Sequence, residues 1–369
     1  MAIGSVEIVR AHIDLVAPFR TSFGVETDRD LLYVHVLGDD EEGWGECVAM
    51  AGPVYSSEYV DGCEEVIRRY LLPLVNQQST AEDFVAAANP IRGNFMAKAA
   101  VEAALLDYQL RNAKQSLASY LGATQTRVAS GVSVGIQPTI DQLIAVVAAY
   151  RKKGYVRIKL KIEPGHDIEL VRAVRKNFGD DMLLQVDANA AYSVSDAKHL
   201  AQLDEFGLLL IEQPLAEEEL AGHNELTRKI STPICLDESI TSCDVARGAL
   251  DLGACSIINI KPGRVGGYLE ARKIHDLCLS RGIPVWCGGM LETGIGRAAN
   301  LALAALPGFT LPGDTSASDR YFAKDVTTPF VLDNGYIEVP TGNGIGVTPI
   351  PEVLEAMTVR RESFAVSAG

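Results

Sequence analysis

The feature of this sequence that most restricts its fold is a series of short apolar runs that recur about every 25 residues, each ending in charged or polar residues. The runs occupy residues 157–162, 183–187, 208–212, 233–237, 256–261 and 283–289. The interval equals one strand plus one helix, which favours parallel βαβ units. A sustained repeat of this kind predicts an α/β barrel, in which the carboxyl ends of the strands form the active site. We therefore expect the polar residues that end the runs to face one another.

Two lysines lie on one side of the first run. Alternate side chains of a strand point to opposite faces, so Lys159 and Lys161 share one face, with Cα atoms ~6.6 Å apart. The apolar residues of the run share the other face: Ile158, Leu160 and Ile162. Taken alone, the pattern also fits an amphipathic edge strand with solvated lysines. The spacing of the runs that follow favours lysines that point into the barrel.

The length of 369 residues predicts two domains, because one hydrophobic core rarely organises so long a chain. Residues 1–125 lack the repeat and predict an α+β capping domain. The barrel is assigned to residues 126–320. Residues 321–369 are too few to fold alone and are expected to return to the cap.

The expected cap begins with three strands and continues with helices. Strands are expected at 6–13, 31–37 and 43–47, and helices at about 58–74, 81–88 and 94–112. Two connections, 17–24 and 50–55, carry Phe, Met and Tyr side chains outside any predicted element. Loops of this kind are candidates for a lid over an active site. Alternatively, their side chains pack into the core of the cap.

Charge and cysteine content limit the possible partners and location. A net charge of -15 makes nucleic acid and anionic membrane surfaces poor partners, since both require a basic patch. An anionic small molecule would need local lysines or a metal ion. The seven cysteines form no C-x-x-C pair, which is typical of reduced thiols in a cytosolic protein. Without a secretory leader or a run of ~18 apolar residues, the sequence predicts a cytoplasmic protein.

The barrel is expected to begin at 129–135, where Ser133 and Gly135 share the inward face, and to end with an eighth strand at 310–313. The glycine-rich segment that starts at Gly288 precedes an alanine-rich helix. Such a segment can bind phosphate, but neither a P-loop nor a dinucleotide motif is present. We therefore expect its backbone to lie close to the substrate.

Three of the runs end in a carboxylate: Asp187, Glu212 and Asp237. Three acids at neighbouring strand ends are tolerable only if a cation lies among them. Oxygen ligands favour Mg²⁺ first and Mn²⁺ second, and the lack of Cys or His here argues against zinc. Each acid alone could instead cap a helix or bond within the barrel. Asn189 and Glu238 follow two of the acids closely and could orient them.

A divalent ion flanked by lysines predicts removal of a proton next to a carboxylate. We expect Lys161 to be the base, with a pKa lowered from ~10.4 to ~7 or 8. Lys159 would lower that pKa through its own charge and bind a substrate oxygen. Lys261, four strands further round, would stand on the opposite face of the substrate. Bases on two faces allow a stereocentre to be inverted.

The residues at the run ends also form a recognisable set of motifs. They are Lys159-x-Lys161, Asp187-Ala188-Asn189, Glu212-Gln213-Pro214, Asp237-Glu238-Ser239 and Lys261-Pro262. This set resembles the enolase superfamily, specifically its muconate-lactonizing-enzyme subgroup, over nearly the whole chain. Segments 131–135, 260–267 and 286–290 are similar to the N-acylamino acid racemase and o-succinylbenzoate synthase group.

The resemblance implies an α/β fold in which an α+β cap covers a TIM-like (β/α)7β barrel. It also implies one Mg²⁺ or Mn²⁺ ion on the three acids, Lys161 and Lys261 as an acid–base pair, a small carboxylate substrate and a homo-oligomer, typically an octamer. The expected reaction is racemisation of N-acylamino (N-succinylamino) acids, dehydration to o-succinylbenzoate, or both. It further implies an apolar pocket formed by Phe19, Phe23, Met50 and Met290 around the acyl or aromatic portion of the substrate. We also expect Ser133, Gly289 and Tyr321 to contact the substrate.

Several alternatives stay open at this point. A mandelate-racemase-like enzyme would need a catalytic histidine at a strand end, but His275 lies within a predicted helix. A dipeptide epimerase is expected to carry Asp-x-Asp after the eighth strand, where this chain has Pro312-Gly313-Asp314-Thr315. Muconate cycloisomerases share both lysines, and an o-succinylbenzoate synthase of menaquinone biosynthesis alone would use the same residues. A non-catalytic, metal-stabilised binding protein is the alternative from another class.

Overall fold

The computed structural model describes residues 2–367 of the chain. Its first three strands are β1 (Ile3–Thr21), β2 (Gly24–Gly38) and β3 (Glu42–Cys47). They form an antiparallel sheet, as the sequence predicted for the start of the cap. β1 and β2 are longer than predicted and pair to their tips, where Phe19 lies opposite Glu26 and Thr21 opposite Gly24.

Segment 17–24 is the tip of the β1–β2 hairpin, so the prediction of an irregular connection there is wrong. Only Ser22 and Phe23 form the turn. A paired hairpin satisfies its own backbone hydrogen bonds and can therefore extend beyond the sheet. The pairing register shifts between Asp14 and Phe19, at the base of this extension. The hairpin thus carries its aromatic side chains away from the core of the cap.

Four helices follow the sheet. They are α1 (Val60–Val66), which continues as a π-helical turn (Ile67–Leu71) and a 3₁₀ turn (Leu72–Leu74), α2 (Ala81–Ala88), α3 (Phe95–Asn112) and α4 (Leu117–Leu121). α3 packs very close to β3, because a Cβ at Gly43 would lie 2.2 Å from Ala104 O and one at Gly45 would lie 2.0 Å from Ala100 O. Ala100 and Ala104 therefore lie where this helix contacts the sheet.

Strands and helices then alternate through the barrel. The elements are β4 (Arg127–Ala129), β5 (Gly131–Val134), α5 (Ile140–Lys153), β6 (Arg157–Lys161), α6 (Ile168–Phe178), β7 (Leu183–Asp187), α7 (Ala197–Leu200), β8 (Ile211–Glu212), α8 (Leu220–Thr227), β9 (Ile234–Leu236), α9 (Cys243–Leu252), β10 (Ile257–Ile260), α10 (Pro262–Val265), α11 (Tyr268–Ser280), β11 (Val285–Cys287) and α12 (Gly294–Ala304). Strands β5 to β11 form one parallel sheet in chain order. The fold is the predicted α/β, TIM-like barrel with a separate antiparallel cap.

The eighth strand predicted to end at Gly313 is not a regular strand in the described part of the chain. Its segment instead closes the barrel through two backbone hydrogen bonds to each neighbouring segment. Gly131 N donates to Gly313 O at 2.8 Å, and Asp314 N donates to Cys287 O at 2.9 Å. Pro312 has no N–H to donate, which prevents a continuous ladder here.

The chain returns to the cap after the barrel. The last elements are β12 (Tyr336–Glu338), α13 (Pro351–Met357) and β13 (Thr358–Ala365). β12 pairs with β4, and β13 pairs antiparallel with β1, which gives the cap sheet the order β13–β1–β2–β3. The domain boundaries predicted at 125/126 and 320/321 stay a prediction. Residue 1 of the predicted cap and residues 368–369 of the predicted C-terminal segment lie outside the described residues.

Two buried acids of the cap hold helices of the barrel. Glu46 accepts hydrogen bonds from the backbone N–H groups of Thr293 at 3.0 Å and Gly296 at 2.9 Å, at the start of α12. Glu102 of α3 accepts a hydrogen bond from the backbone N–H group of Leu269 at 2.9 Å, at the start of α11. Burial raises the pKa of both carboxyl groups to about 7, although the backbone bonds favour the charged form. These contacts fix the position of the cap over the strand ends.

Two further observations bear on the cysteines and on membranes. Six of the seven cysteines are buried, Cys243 is partly exposed, and none forms a disulfide in the described structure. Among residues 2–367 no helix combines the length and the apolar character that crossing a membrane requires.

Candidate active site

Strand register brings the predicted lysines and carboxylates to one end of the barrel. Lys161 lies beside Asp187 on β7, and Asp187 lies beside Glu212 on β8. Asp237 follows β9, and Lys261 follows β10. All five residues are buried. The carboxyl ends of these strands therefore form the ring of charged side chains that the spacing predicted.

Both lysines of β6 point into this ring and contact carboxylates directly. Lys161 Nζ lies 2.6 Å from Asp187 Oδ2. Lys159 Nζ lies 2.9 Å from Glu212 Oε2 and 3.2 Å from Asp187 Oδ2. Burial alone would lower the pKa of Lys159, but the neighbouring carboxylates raise it well above its ordinary value. Burial likewise opposes ionisation of Asp187, yet the two lysines hold its pKa below the usual range.

Asp237 belongs to a second group of contacts, centred on Lys261. Lys261 Nζ lies 2.7 Å from Asp237 Oδ2 and 3.0 Å from the hydroxyl oxygen of Tyr55. Arg264 donates to the other carboxylate oxygen of Asp237. Gly288 makes room for the lysine, because a Cβ there would lie 2.6 Å from Lys261 Cε. Arg264 and Tyr55 were not among the predicted site residues.

Asn189 and Glu238, predicted to orient the acids, connect the strand ends. Asn189 Nδ2 donates to Glu238 Oε1 at 2.8 Å, and its Oδ1 accepts from Lys161 Nζ at 2.6 Å. The φ of 42° at Asn189 is a left-handed conformation, which asparagine adopts more readily than most other residues with a side chain and which recurs at functional sites. Burial and the charge of Asp187 raise the pKa of Glu238 to about 7.

The carboxylate oxygens of the ring are the type of ligand that a hard divalent cation prefers. Asp187, Glu212 and Asp237 are buried carboxylates at consecutive strand ends, and Glu238 Oε2 is a buried oxygen without a partner among the described residues. Over residues 2–367, however, no group of three or more His, Cys, Asp and Glu side chains is clustered as metal ligands. Lysine ammonium groups lie against the carboxylates instead. The metal-ligand roles therefore stay a prediction.

Asp314, just after the closing segment, is a further member of the site that the spacing did not reveal. Its carboxylate lies 2.7 Å from Lys159 Nζ and 2.9 Å from Arg157 Nη1. Burial opposes ionisation of Asp314, but the two cations hold its pKa well below the usual range. Both cations also lie over the ring of Trp286, at 4.8 Å for Lys159 and 5.3 Å for Arg157. Asp314 is thus committed to a buried ion pair.

A cavity of about 50 Å³ that opens to solvent lies between the cap and the strand ends. All residues predicted to contact substrate line it: Phe19, Phe23, Met50, Ser133, Gly289, Met290 and Tyr321. From the barrel, the cavity is also lined by Lys159, Lys161, Lys261 and Asn189. The cap adds residues that were not predicted: Glu26, Arg29 and Tyr55. The structure brings these side chains together, while their contacts with a substrate stay a prediction.

The hairpin tip of the cap covers one side of this cavity and contacts three barrel loops. Ile136 N donates to Arg20 O at 2.9 Å, and Arg20 Nη2 lies 3.0 Å from Glu163 Oε1. Ser22 Oγ donates to Ala188 O at 3.4 Å. These loops follow β5, β6 and β7, so the hairpin spans the strand ends that carry the first two lysines.

Histidine is absent from the lining of this cavity as far as the structure describes it. His275 lies within α11, where its Nε2 accepts from Gly308 N at 3.0 Å and its ring stacks on Phe309. It therefore has a structural environment away from the strand ends.

Two family models match most of the chain. The model described as "Mandelate racemase / muconate lactonizing enzyme, N-terminal domain" matches residues 4–122. The model described as "Enolase C-terminal domain-like" matches residues 142–353. The first match contains most of the cap, and the second contains most of the barrel.

Individual relatives match over nearly the full length. The chain is 60% identical over 366 residues to an N-succinylamino acid racemase from Amycolatopsis sp., covering 98% of this chain and 99% of that one. It is 49% identical over 356 residues to an o-succinylbenzoate synthase from Geobacillus kaustophilus, covering 94% of each. A crystal structure of an enolase-superfamily member from Listeria innocua matches with a TM-score of 0.94 at 41% identity, covering 99% of both chains.

Proposed function

Because this chain belongs to the mandelate racemase/muconate lactonizing enzyme family of the enolase superfamily, we propose that it removes the proton next to the carboxylate of a small-molecule substrate. The proposed substrates are N-acylamino acids, above all N-succinylamino acids, which it racemises. Dehydration to o-succinylbenzoate is proposed as a second activity of the same site. Full-length relatives with both names support the pair of activities.

The observation that carries the proposal is the placement of Lys161 and Lys261 around one cavity, on β6 and after β10. Racemisation requires that a proton leave one face of the substrate and that another arrive on the opposite face. Two amines on different strands can serve the two faces. Separate partners hold them apart, since Lys161 contacts Asp187 and Lys261 contacts Asp237.

We propose that Asp187, Glu212 and Asp237 hold one Mg²⁺ or Mn²⁺ ion, because both ions prefer carboxylate oxygens. When bound, the ion supplies positive charge against the negative charge that develops on the substrate carboxylate. Asn189 orients Asp187, since its backbone N–H donates to Asp187 Oδ1 at 3.0 Å. Lys159 is proposed to bind a substrate carboxylate oxygen through its ammonium group.

In the proposed racemisation, the neutral amine of one lysine takes the α-proton, and the C–H electron pair delocalises into the adjacent carboxylate. The ammonium of the other lysine then protonates the opposite face. In the dehydration, one lysine takes the α-proton and passes it to the departing hydroxyl, which leaves as water, while the other lysine remains a fixed cation. Phe19, Phe23 and Met290 surround the acyl or aromatic portion and exclude water.

The environment of Asp314 argues against a dipeptide epimerase. Such an enzyme needs a carboxylate that is free to bind the substrate ammonium, whereas Asp314 is paired with Lys159 and Arg157. A cytoplasmic location and assembly into a homo-oligomer, as an octamer, belong to the proposal and rest on the likeness to the family.

The test is to incubate the protein with Mg²⁺ or Mn²⁺ and one enantiomer of an N-succinyl- or N-acetylamino acid in D₂O. Deuterium incorporation is followed by NMR and racemisation by polarimetry. The wild-type protein should show both, and Lys161→Ala should lose racemisation. Turnover of only the cyclohexadiene precursor of o-succinylbenzoate would identify a dehydratase. Turnover of neither substrate, with metal-dependent melting and ligand affinity unchanged in every lysine variant, would favour a non-catalytic binding protein.

A further inference from the structure

Tyr55 is a residue of the cap whose side chain reaches the charged ring of the barrel. It lies in the segment between β3, which ends at Cys47, and α1, which begins at Val60. Its side chain lines the cavity between cap and barrel. The hydroxyl oxygen lies 3.0 Å from Lys261 Nζ and accepts a hydrogen bond from it. The ammonium group lies 4.9 Å from the ring centroid, at the hydroxyl end of the side chain.

The hydroxyl of Tyr55 joins three groups of the barrel. Besides accepting from Lys261, it accepts from Arg264 Nη1 at 3.3 Å and donates to Asp237 Oδ2 at 3.4 Å. Asp237 Oδ2 also accepts from Lys261 Nζ at 2.7 Å. The ammonium group of Lys261 therefore lies between a carboxylate that belongs to the barrel and a hydroxyl that belongs to the cap.

Lys161 and Lys261 differ in whether the cap supplies a hydrogen-bond partner for the amine. The partners of Lys161 Nζ in the described structure are Asp187 at 2.6 Å and Asn189 at 2.6 Å, and both belong to the barrel. Lys261 has Tyr55 as a partner from the cap. The side chain of Tyr55 in turn packs against Phe23 of the hairpin tip, with ring centroids 5.8 Å apart. The position of Lys261 thus depends on cap segments that do not contact the Lys161 amine.

We propose that Tyr55 is a positioning residue that holds the Lys261 amine at its face of the substrate and so controls proton transfer on that face alone. This inference rests on the proposed function, since it assigns the two lysines to opposite faces. It also makes the arrangement of the cap a condition for racemisation, because inversion needs both amines in place. The hydrogen-bond partners of the Lys161 amine belong to the barrel, so proton transfer through Lys161 does not require the Tyr55 hydroxyl to hold that amine in place.

The test uses Tyr55→Phe, which keeps the aromatic packing and removes the hydroxyl. Each enantiomer of an N-succinylamino acid is incubated separately with Mg²⁺ in D₂O, and initial deuterium incorporation at the α-carbon is measured by NMR. Lys261→Ala first identifies the enantiomer that exchanges through Lys261. In Tyr55→Phe, exchange of that enantiomer should fall by about tenfold or more, because a hydrogen bond to a charged group is lost, while exchange of the other stays within about twofold.

Tyr59→Phe is the matched control, because Tyr59 lies just before α1, is 37% exposed and does not line the cavity. It should leave both exchange rates unchanged. Equal losses for both enantiomers in Tyr55→Phe, or no loss for either, would overturn the proposal. If the variant unfolds, as judged by its melting temperature, the same comparison is made with Phe23→Leu, which should again lower exchange through Lys261 more than exchange through Lys161. Absence of exchange in the wild-type protein would instead remove the proposed function, and the inference with it.

Discussion

Replacing Asp314 by Asn tests whether its charge is committed to the buried ion pair. Asp314 lies 2.7 Å from Lys159 Nζ and 2.9 Å from Arg157 Nη1, and all three residues are buried. Removing one partner of a buried pair leaves an uncompensated charge and typically costs about 3–5 kcal/mol. Lys159 keeps Glu212 as a partner, so we expect a value near the lower limit, about 3 kcal/mol.

The assay is urea unfolding of chelator-treated protein at pH 7. With a slope of roughly 3 kcal/mol/M, a loss of about 3 kcal/mol lowers the unfolding midpoint by about 1 M. Asp319→Asn is the matched control, because its partner Lys153, at 2.9 Å, is exposed like Asp319 itself. An exposed pair contributes about 0–1 kcal/mol. The control should therefore shift the midpoint by less than about 0.3 M.

The pH dependence follows from the lowered pKa of Asp314. The pKa of Asp314 in the folded state lies below the unfolded value of ~3.9, so ionised Asp314 stabilises the fold at pH values above ~3.9. This stabilisation is lost as the pH falls from ~3.9 towards the folded-state pKa. The difference in free energy of unfolding between wild type and Asp314→Asn should thus reach its full value above about pH 5 and shrink below about pH 4. A cost no larger than that of Asp319→Asn would refute the ion pair and reopen the epimerase alternative.

Three further outcomes follow from the structure. Burial raises the pKa of Glu46 to about 7, so the folded state takes up a proton as pH falls from about 7 to 4.5, before the unfolded state does. In urea unfolding, the free energy of unfolding of wild type should therefore rise by up to about 3 kcal/mol relative to that of Glu46→Gln over this range. Equal pH profiles of the two proteins would contradict this. In Gly288→Ala, a Cβ 2.6 Å from Lys261 Cε should displace this lysine and slow racemisation at least about tenfold, measured by polarimetry, with a stability loss of about 1–3 kcal/mol. Saturating Mg²⁺ should stabilise wild type by about 2–4 kcal/mol in thermal unfolding. Asp187→Asn should lose this gain, whereas the control Asp196→Asn, at a partly exposed helix start, should keep it.

The fold and the central residues of the site could be predicted because both depend on periodic features of the sequence. A parallel strand and its helix have a nearly fixed length, so the interval between runs placed Lys161, Asp187 and Glu212 at matching strand ends. The alternation of side chains along a strand placed Lys159 on the same face as Lys161. These relations hold whatever loops connect the elements.

The remaining site residues could not be predicted because loops determine their positions. Tyr55 reaches Lys261 from a connection in the cap, and no spacing relates the two residues. Arg264 turns back to Asp237 from a helix that follows β10 directly. Asp314 follows a segment whose strand pairing is interrupted near Pro312, so its register is not set by a ladder. The hairpin at 17–24 was missed because its pairing depends on a register shift within β1.

The most direct test of the central claim, that Lys161 and Lys261 serve opposite faces of one substrate, is α-proton exchange in single-lysine variants. Lys161→Ala and Lys261→Ala are each incubated with each N-succinylamino acid enantiomer and Mg²⁺ in D₂O, and deuterium incorporation is measured by NMR. We predict that neither variant racemises, that each exchanges only one enantiomer, and that the two variants exchange opposite enantiomers. Exchange of the same enantiomer by both variants, or continued racemisation by either, would contradict the two-base arrangement.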